Sequence, residues 1–287
     1  MIRRMRPALS FARGFTLIEA IMVIVISGII AAMVALFIRA PVEGYVDTVV
    51  RSELTEAADT SLRRVARDVR AALPNSLRTT DPASASCFEF LPAVGGGRYR
   101  VAQRAAATGD ILDFTAPDSS FDVLASISLP PRGAVLPATY PPDHHAVIYN
   151  LGIPGSDAYE AASVRAPIAT TSSATQITLT AAKQFPFESP GMRFQVIPNF
   201  SVVYSCANGA LRRSTQAISP TPMASCPASG EILVGNVDCG ESAFDYAPAA
   251  ATRNGLLTMR LVLSAAGTRG AQTTISLYQE VHIDNTP

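Results

Sequence analysis

The chain has 287 residues, and its 23 lysines and arginines balance 23 aspartates and glutamates, so no overall basic character recommends it as a nucleic-acid binder. Its three histidines and four cysteines fall into no HExxH pattern, no calcium loop and no serine, histidine and carboxylate set with a recognisable elbow. Nothing in the sequence therefore argues for an enzyme, a cofactor or a resident metal.

Arg3, Arg4, Arg6 and Arg13 open the chain with no acid among them, which marks that end as cytoplasmic by the positive-inside rule. Gly14, Phe15, Thr16, Leu17, Ile18 and Glu19 follow, and then an unbroken apolar run from Ala20 to Ile38. The 24 residues from Phe15 to Ile38 make a helix of about 36 Å, enough to cross the hydrocarbon of a membrane with some tilt. A secretory signal peptide has an apolar core of about 7–15 residues followed by small residues at a cleavage site. Here the run is followed by Arg39, Ala40, Pro41, Val42 and Glu43, which places the cleavable element on the cytoplasmic side, between Gly14 and Phe15. Removing residues 1–14 takes four positive charges with it and leaves the exported part net acidic. Glu19 sits just inside the span, where an ionised carboxylate left alone in lipid costs roughly 2.5–3.5 kcal/mol. It needs a partner of opposite charge, unless the span is a plain anchor in which Glu19 is neutral or snorkels to the headgroups.

Past the span the helical period continues. Val42, Val46, Val50, Leu54, Ala58, Leu62, Val65, Val69 and Leu73 recur at steps of three and four, and Val49, Ala57 and Ala66 widen the stripe. Asp47 with Arg51, Asp59 with Arg63, and Arg64 with Asp68 stand four apart as candidate ion pairs. Pro41 is placed to kink the junction, and Pro74 ends the helix because it has no N–H to donate. Alanines interrupt any sustained heptad, so the outer half reads as a stem packed on a globular head and not as a coiled coil. Arg51, Glu53, Glu56, Arg63, Arg67 and Arg70 remain on its wetted face.

From residue 75 onward the composition changes to Ser, Thr, Pro and Gly with short alternating runs. Strands are predicted at 98–101, 111–115, 146–149, 176–180, 193–197, 201–204, 256–263 and 274–283. They imply one elaborated β-rich domain laid against the stem, or such a domain with a large insertion. Gly95, Gly96 and Gly97 lack a following Lys-Ser or Lys-Thr and read as a turn, not as a phosphate loop. Cys87, Cys206, Cys226 and Cys239 all lie beyond the span, where an oxidising compartment permits disulfides; three pairings are open, with a staple among the last three favoured. Zinc ligation lacks the usual close cysteine spacing. His144 and His145, as strand neighbours, point to opposite sides, and alternation in the last strand puts His282 with Tyr278 and Glu280 on a solvated face.

The opening from Gly14 to Glu19, with its basic leader and long apolar helix, resembles the class III signal of type IV pilins and type II secretion pseudopilins. The resemblance implies an α+β, pilin-like fold: a cleaved leader (1–14), a transmembrane helix (15–38), an amphipathic stem (39–74) and a β-rich head with insertions (75–287). It also implies a prepilin peptidase that cuts after Gly14 and N-methylates Phe15, and pairing of Glu19 with the amino terminus of a neighbouring subunit. Three further stretches are similar to MshO-type minor pilin-like proteins of mannose-sensitive haemagglutinin pilus systems: 62–76, 95–100 and 147–152. The ending, 277–285, is similar to the same group. For that group the implied role is a non-catalytic minor component that primes or caps a pilus, with an exposed tip adhesin or a J-type pseudopilin as alternatives. Implied partners are the peptidase, other minor and major pilins and the inner-membrane assembly platform, without nucleic acid. The implied location is a single-pass inner-membrane protein with a periplasmic head, later carried on the pilus.

Overall fold

The computed structural model describes residues 14–79, 86–103, 108–126, 143–248, 254–268 and 271–287. The arginines of the basic leader lie outside the described residues. One helix, α1 (Leu17–Arg70), is followed by β1 (Arg78–Thr79), β2 (Cys87–Phe90), β3 (Gly95–Tyr99), β4 (Asp118–Ser126), β5 (His144–Ile148), β6 (Arg165–Pro167) and β7 (Gln176–Lys183). The chain continues through β8 (Arg193–Pro198), β9 (Ser201–Ala207), β10 (Ala210–Gln216), β11 (Glu231–Gly235), β12 (Ala243–Ala247), β13 (Gly255–Ala266) and β14 (Gln272–Ile283). This is an α+β protein with one long helix and a β-rich head of antiparallel sheets.

Helix α1 stays helical through Pro41 and runs for 54 residues. It stops at Arg70, short of the proline at 74, because the backbone of the next residues is used elsewhere. Ala71 and Ala72 close the last turn with bonds to the carbonyls three residues back, Leu73 then donates to Leu91 O at 2.7 Å, and Ala71 O accepts from Ala93 N at 2.8 Å. Residues 71–73 thus leave the helix to lie beside residues 91–93. Of the three ion pairs expected along the stem, only Asp59 with Arg63 forms, at 2.7 Å. The head captures the others: Arg64 makes a two-pronged contact to Glu231 at 2.9 and 3.0 Å, and Asp68 accepts from Arg213 Nε at 3.0 Å and Tyr204 Oη at 2.7 Å. A fixed carboxylate on the head, presented in bidentate geometry, outcompetes a mobile neighbour on the same helix.

Two sheets grip the upper stem. One has the order β1-β2-β9-β10-β11, the other β12-β13-β14. Leu54, Ala58, Leu62, Val65, Ala66 and Val69 share a core with Phe88, Phe90, Val202, Tyr204, Met259, Leu261 and Val281. The β13–β14 hairpin pairs without slip from Gly255↔Ile283 to Ala266↔Gln272. Twelve strand residues span about 40 Å, enough to run the roughly 35 Å of helix between Asp47 and Arg70. The hairpin tip therefore reaches Asp47, whose carboxylate accepts from Thr268 N at 2.9 Å and Thr268 Oγ1 at 3.0 Å, in place of a pair with Arg51.

A third sheet, ordered β6-β5-β8-β3-β4-β7, lies between β2 and β9 in the chain, although those two strands pair directly. It closes on itself where Ile168 bridges Leu179 and Ala169 N donates to Thr178 O at 2.8 Å, giving a barrel-like lobe with few open edges. Tyr99, Phe121, Ile148, Ile177, Phe194 and Val196 fill its own core, which contains no residue of α1. The triple glycine is strand and not turn: a Cβ on Gly97 would stand 2.7 Å from Phe194 Cε1 and 2.9 Å from Ala125 O, so β3 needs glycine to let that ring cross it. Residues 111–115, expected as a strand, are irregular because Asp113 folds back on Thr115 N and Oγ1 at 2.7 Å each. The following segment, β4, takes the place in the sheet.

The cysteines pair as Cys87 with Cys226 and Cys206 with Cys239, spanning 139 and 33 residues of sequence. Cys87 and Cys206 lie on adjacent strands of the five-stranded sheet, so each bridge ties one surface loop to the wall that covers the stem.

Candidate functional site

The amino-terminal end of α1 is built around Thr16. This residue is the N-cap, in extended conformation, and its hydroxyl oxygen accepts from Glu19 N at 3.3 Å. The same hydroxyl lies 3.5 Å from the Glu19 carboxylate, so Thr16 and Glu19 occupy the two positions of a capping box. The carboxylate sits in the first turn, where the helix dipole favours negative charge. That contact leaves Glu19 exposed, with no cation paired to it among the described residues.

The helix beyond it has no protein cover among the described residues. Leu17, Ile24, Leu36 and Phe37 are 81, 71, 70 and 81% exposed, and the most apolar window of α1 is wholly unburied. A surface of this size that is apolar all round is placed in lipid or against other helices and not in water. Gly14 precedes the cap in open surroundings: a Cβ there would meet no atom within 4 Å. Among the described residues, therefore, none requires glycine at this position.

At the other end of the stem, three asparagines form a polar knot. Asn75 donates through its side chain to Asn150 O at 2.9 Å and Asn285 O at 3.2 Å, while its backbone N–H donates to Asn285 Oδ1 at 3.1 Å. Asn150, fully buried, donates to Pro74 O at 2.6 Å and accepts from Ala158 N at 2.8 Å. Gly152 has a positive φ, and a Cβ on it would lie 2.8 Å from Asn75 O. The knot joins the end of the stem, the root of the inserted lobe and the segment that follows the last strand. Its three asparagines stand far apart in sequence.

The histidines have separate environments. His145 is buried, and burial followed by the charge of Arg165 lowers its pKa to about 4, so it is neutral near pH 7. His282 lies on the exposed face of β14 with Tyr278 and Glu280. Among the described residues no group of three or more His, Cys, Asp or Glu side chains is placed to hold a metal. Sequence reasoning did not find the capture of Arg64 and Asp68 by Glu231, Arg213 and Tyr204. Arg213 and Glu231 fall in no predicted strand, so the sequence carried no signal for these contacts beyond the charges of Arg64 and Asp68 on the predicted helix.

Residues 9–35 match the family model described as the prokaryotic N-terminal methylation motif. No curated protein and no solved structure matches the chain. The motif covers the cap, Glu19 and most of the bare apolar helix, and its presence makes the amino terminus type IV pilin-like.

Proposed function

We propose that this chain is a membrane-anchored, non-catalytic pilin-like subunit, and more narrowly a minor pilin that primes or caps a pilus of the mannose-sensitive haemagglutinin type. The observation that carries the reading is the methylation motif sitting on a helix whose apolar surface is bare at one end and covered by its own head at the other. Such a motif implies processing by a prepilin peptidase and assembly with other pilins. Glycine at position 14 fits that role, because no described residue demands it while a peptidase must reach the backbone there. In this reading residues 1–14 are the removed leader, the head is periplasmic, and Glu19 finds its cation in the amino terminus of a neighbouring subunit, which offsets the cost of a carboxylate in lipid.

The minor role is supported by bulk. The inserted lobe adds a six-stranded body with a core of its own that holds no residue of α1, a load poorly suited to every subunit of a uniform shaft. The same observation favours a second reading, in which that lobe is a tip adhesin presented by the filament. Replacing Glu19 with alanine tests the assembly claim. Membrane insertion and leader removal are expected to persist while incorporation into pili falls; normal piliation with the Glu19→Ala variant would reduce the helix to an anchor. Deleting the lobe separates the two roles, since loss of all pili marks priming and normal pili that no longer attach mark adhesion.

A further inference from the structure

A cavity of about 480 Å³ lies at the seam of the barrel-like lobe, where the chain leaves β6 to bridge β7. Asp143, His144, His145, Thr170, Thr180 and Asn199 line it, and Pro167 and Ile168 add an apolar wall. Successive strand residues face opposite sides, yet both histidines reach this space, because the chain turns at Asp143, with a φ of 72°, and the cavity wraps the start of β5. Their imidazoles are left unused by the fold. Nδ1 of each is buried without a hydrogen-bond partner, and neither ring bonds any described residue, although His145 is only 9% exposed. A neutral imidazole has one N–H and one bare nitrogen. A buried nitrogen with nothing to accept its proton costs less bare than protonated, so the proton sits on Nε2. Two N–H donors then stand in the cavity wall with no acceptor among the described residues.

The rest of the lining selects among ligands. Thr170 and Thr180 offer hydroxyls and Asn199 an amide, all able to donate and accept, while Asp143 offers a carboxylate at the exposed rim. That carboxylate opposes an anion, and Arg165, whose charge acts on His145, opposes a cation. Among the described residues no three side chains are placed to hold a metal. A wholly apolar ligand would leave both N–H groups unsatisfied. What fits is an uncharged molecule with several hydroxyls and one apolar face to lie against Pro167 and Ile168. The turn that carries Asn199 also carries Phe200, 39% exposed, which offers an aromatic ring for such a face.

We propose that this cavity binds one uncharged sugar unit, whose hydroxyl oxygens accept from His144 and His145 and whose hydroxyl hydrogens are donated to Asp143. Its volume falls within the roughly 300–1,000 Å³ of small-molecule sites, for which the mouths of β-barrels are a usual place. The binding does not depend on the pilin reading. It rests on the reading of the lobe as an adhesin only for the source of the sugar, a glycan on an outer surface.

The test is saturation-transfer NMR on the full chain in a detergent without a sugar headgroup. The probes are methyl pyranosides of neutral hexoses, deoxyhexoses, N-acetylhexosamines and hexuronic acids. Transfer to the ring protons of at least one neutral member is expected. His144→Phe keeps the ring and removes its N–H, and is expected to weaken that binding about fivefold. Thr180→Trp fills the cavity from an exposed strand position and is expected to abolish it. Where either variant fails to fold, Asn199→Ala at the exposed rim takes its place, with a loss of about threefold expected. Transfer to no neutral member, transfer to the hexuronic acids alone, or transfer unchanged in the folded variants would each overturn the proposal. None of these substitutions touches Gly14, Phe15 or Glu19, so leader removal and piliation are expected to be normal in all of them. A chain that binds no sugar yet still forms pili that attach would refute this site alone and leave the proposed function standing.

Discussion

The two halves of α1 are one continuous helix with two different surroundings. Below residue 50 the apolar side chains are bare: Val42, Tyr45 and Val46 are 52, 72 and 40% exposed although the first and third lie on the same stripe as the core residues. Above it, Leu54, Leu62 and Val69 are 7, 1 and 0% exposed beneath two sheets. The stripe is therefore longer than the surface its own head offers, and the covered part begins near Val50. Hydrophobic periodicity reports that a face must be buried; it does not say by what.

Substitutions along the helix should grade with that division. Leu62→Ala in the covered half leaves a cavity in the core that it shares with Phe88 and Tyr204 and is expected to destabilise the head by about 3 kcal/mol, read by chemical denaturation of the full chain in detergent. A loss under about 1 kcal/mol would mean that the two sheets do not close on the stem as described. At the boundary, Asp47→Ala removes the contacts to Thr268 and should speed amide hydrogen exchange at the β13–β14 tip while leaving the sheet centre protected. Those bonds hold the Asp47 carboxyl below its ordinary pKa, so their contribution is present above the usual carboxylate range and is lost as pH falls through the lowered value. The tip should then loosen in acid in the natural chain and not further in the variant. In the bare half, Val46→Ser should change head stability by less than about 0.5 kcal/mol. A larger loss there would show that the head covers more of the stem than the described contacts.

How far the sequence could be read follows the same line. The apolar run and the stem stripe were legible because they are local and periodic, as were the last two strands, predicted at 256–263 and 274–283. The triple glycine was misread because its reason, the Phe194 ring crossing β3, lies almost a hundred residues away. The disulfide pairing and the partners of Arg64 and Asp68 depend on strand order in the same way. Asp47 looked like half of an i,i+4 pair, and only the length of the β13–β14 hairpin shows why it bonds Thr268 instead. At the amino terminus, Thr16 and Glu19 fall at capping-box spacing in the sequence, while the knot of Asn75, Asn150 and Asn285 needs the fold to bring it together.

The central claim is that the bare half of α1 is the assembly end of a processed pilin-like subunit. It is tested most directly by the mass and amino-terminal sequence of the protein isolated from a host that carries a prepilin peptidase. The account predicts a chain that begins at Phe15 with a methylated amine; a chain that still begins at Met1, or one cut after Ala40, would contradict it.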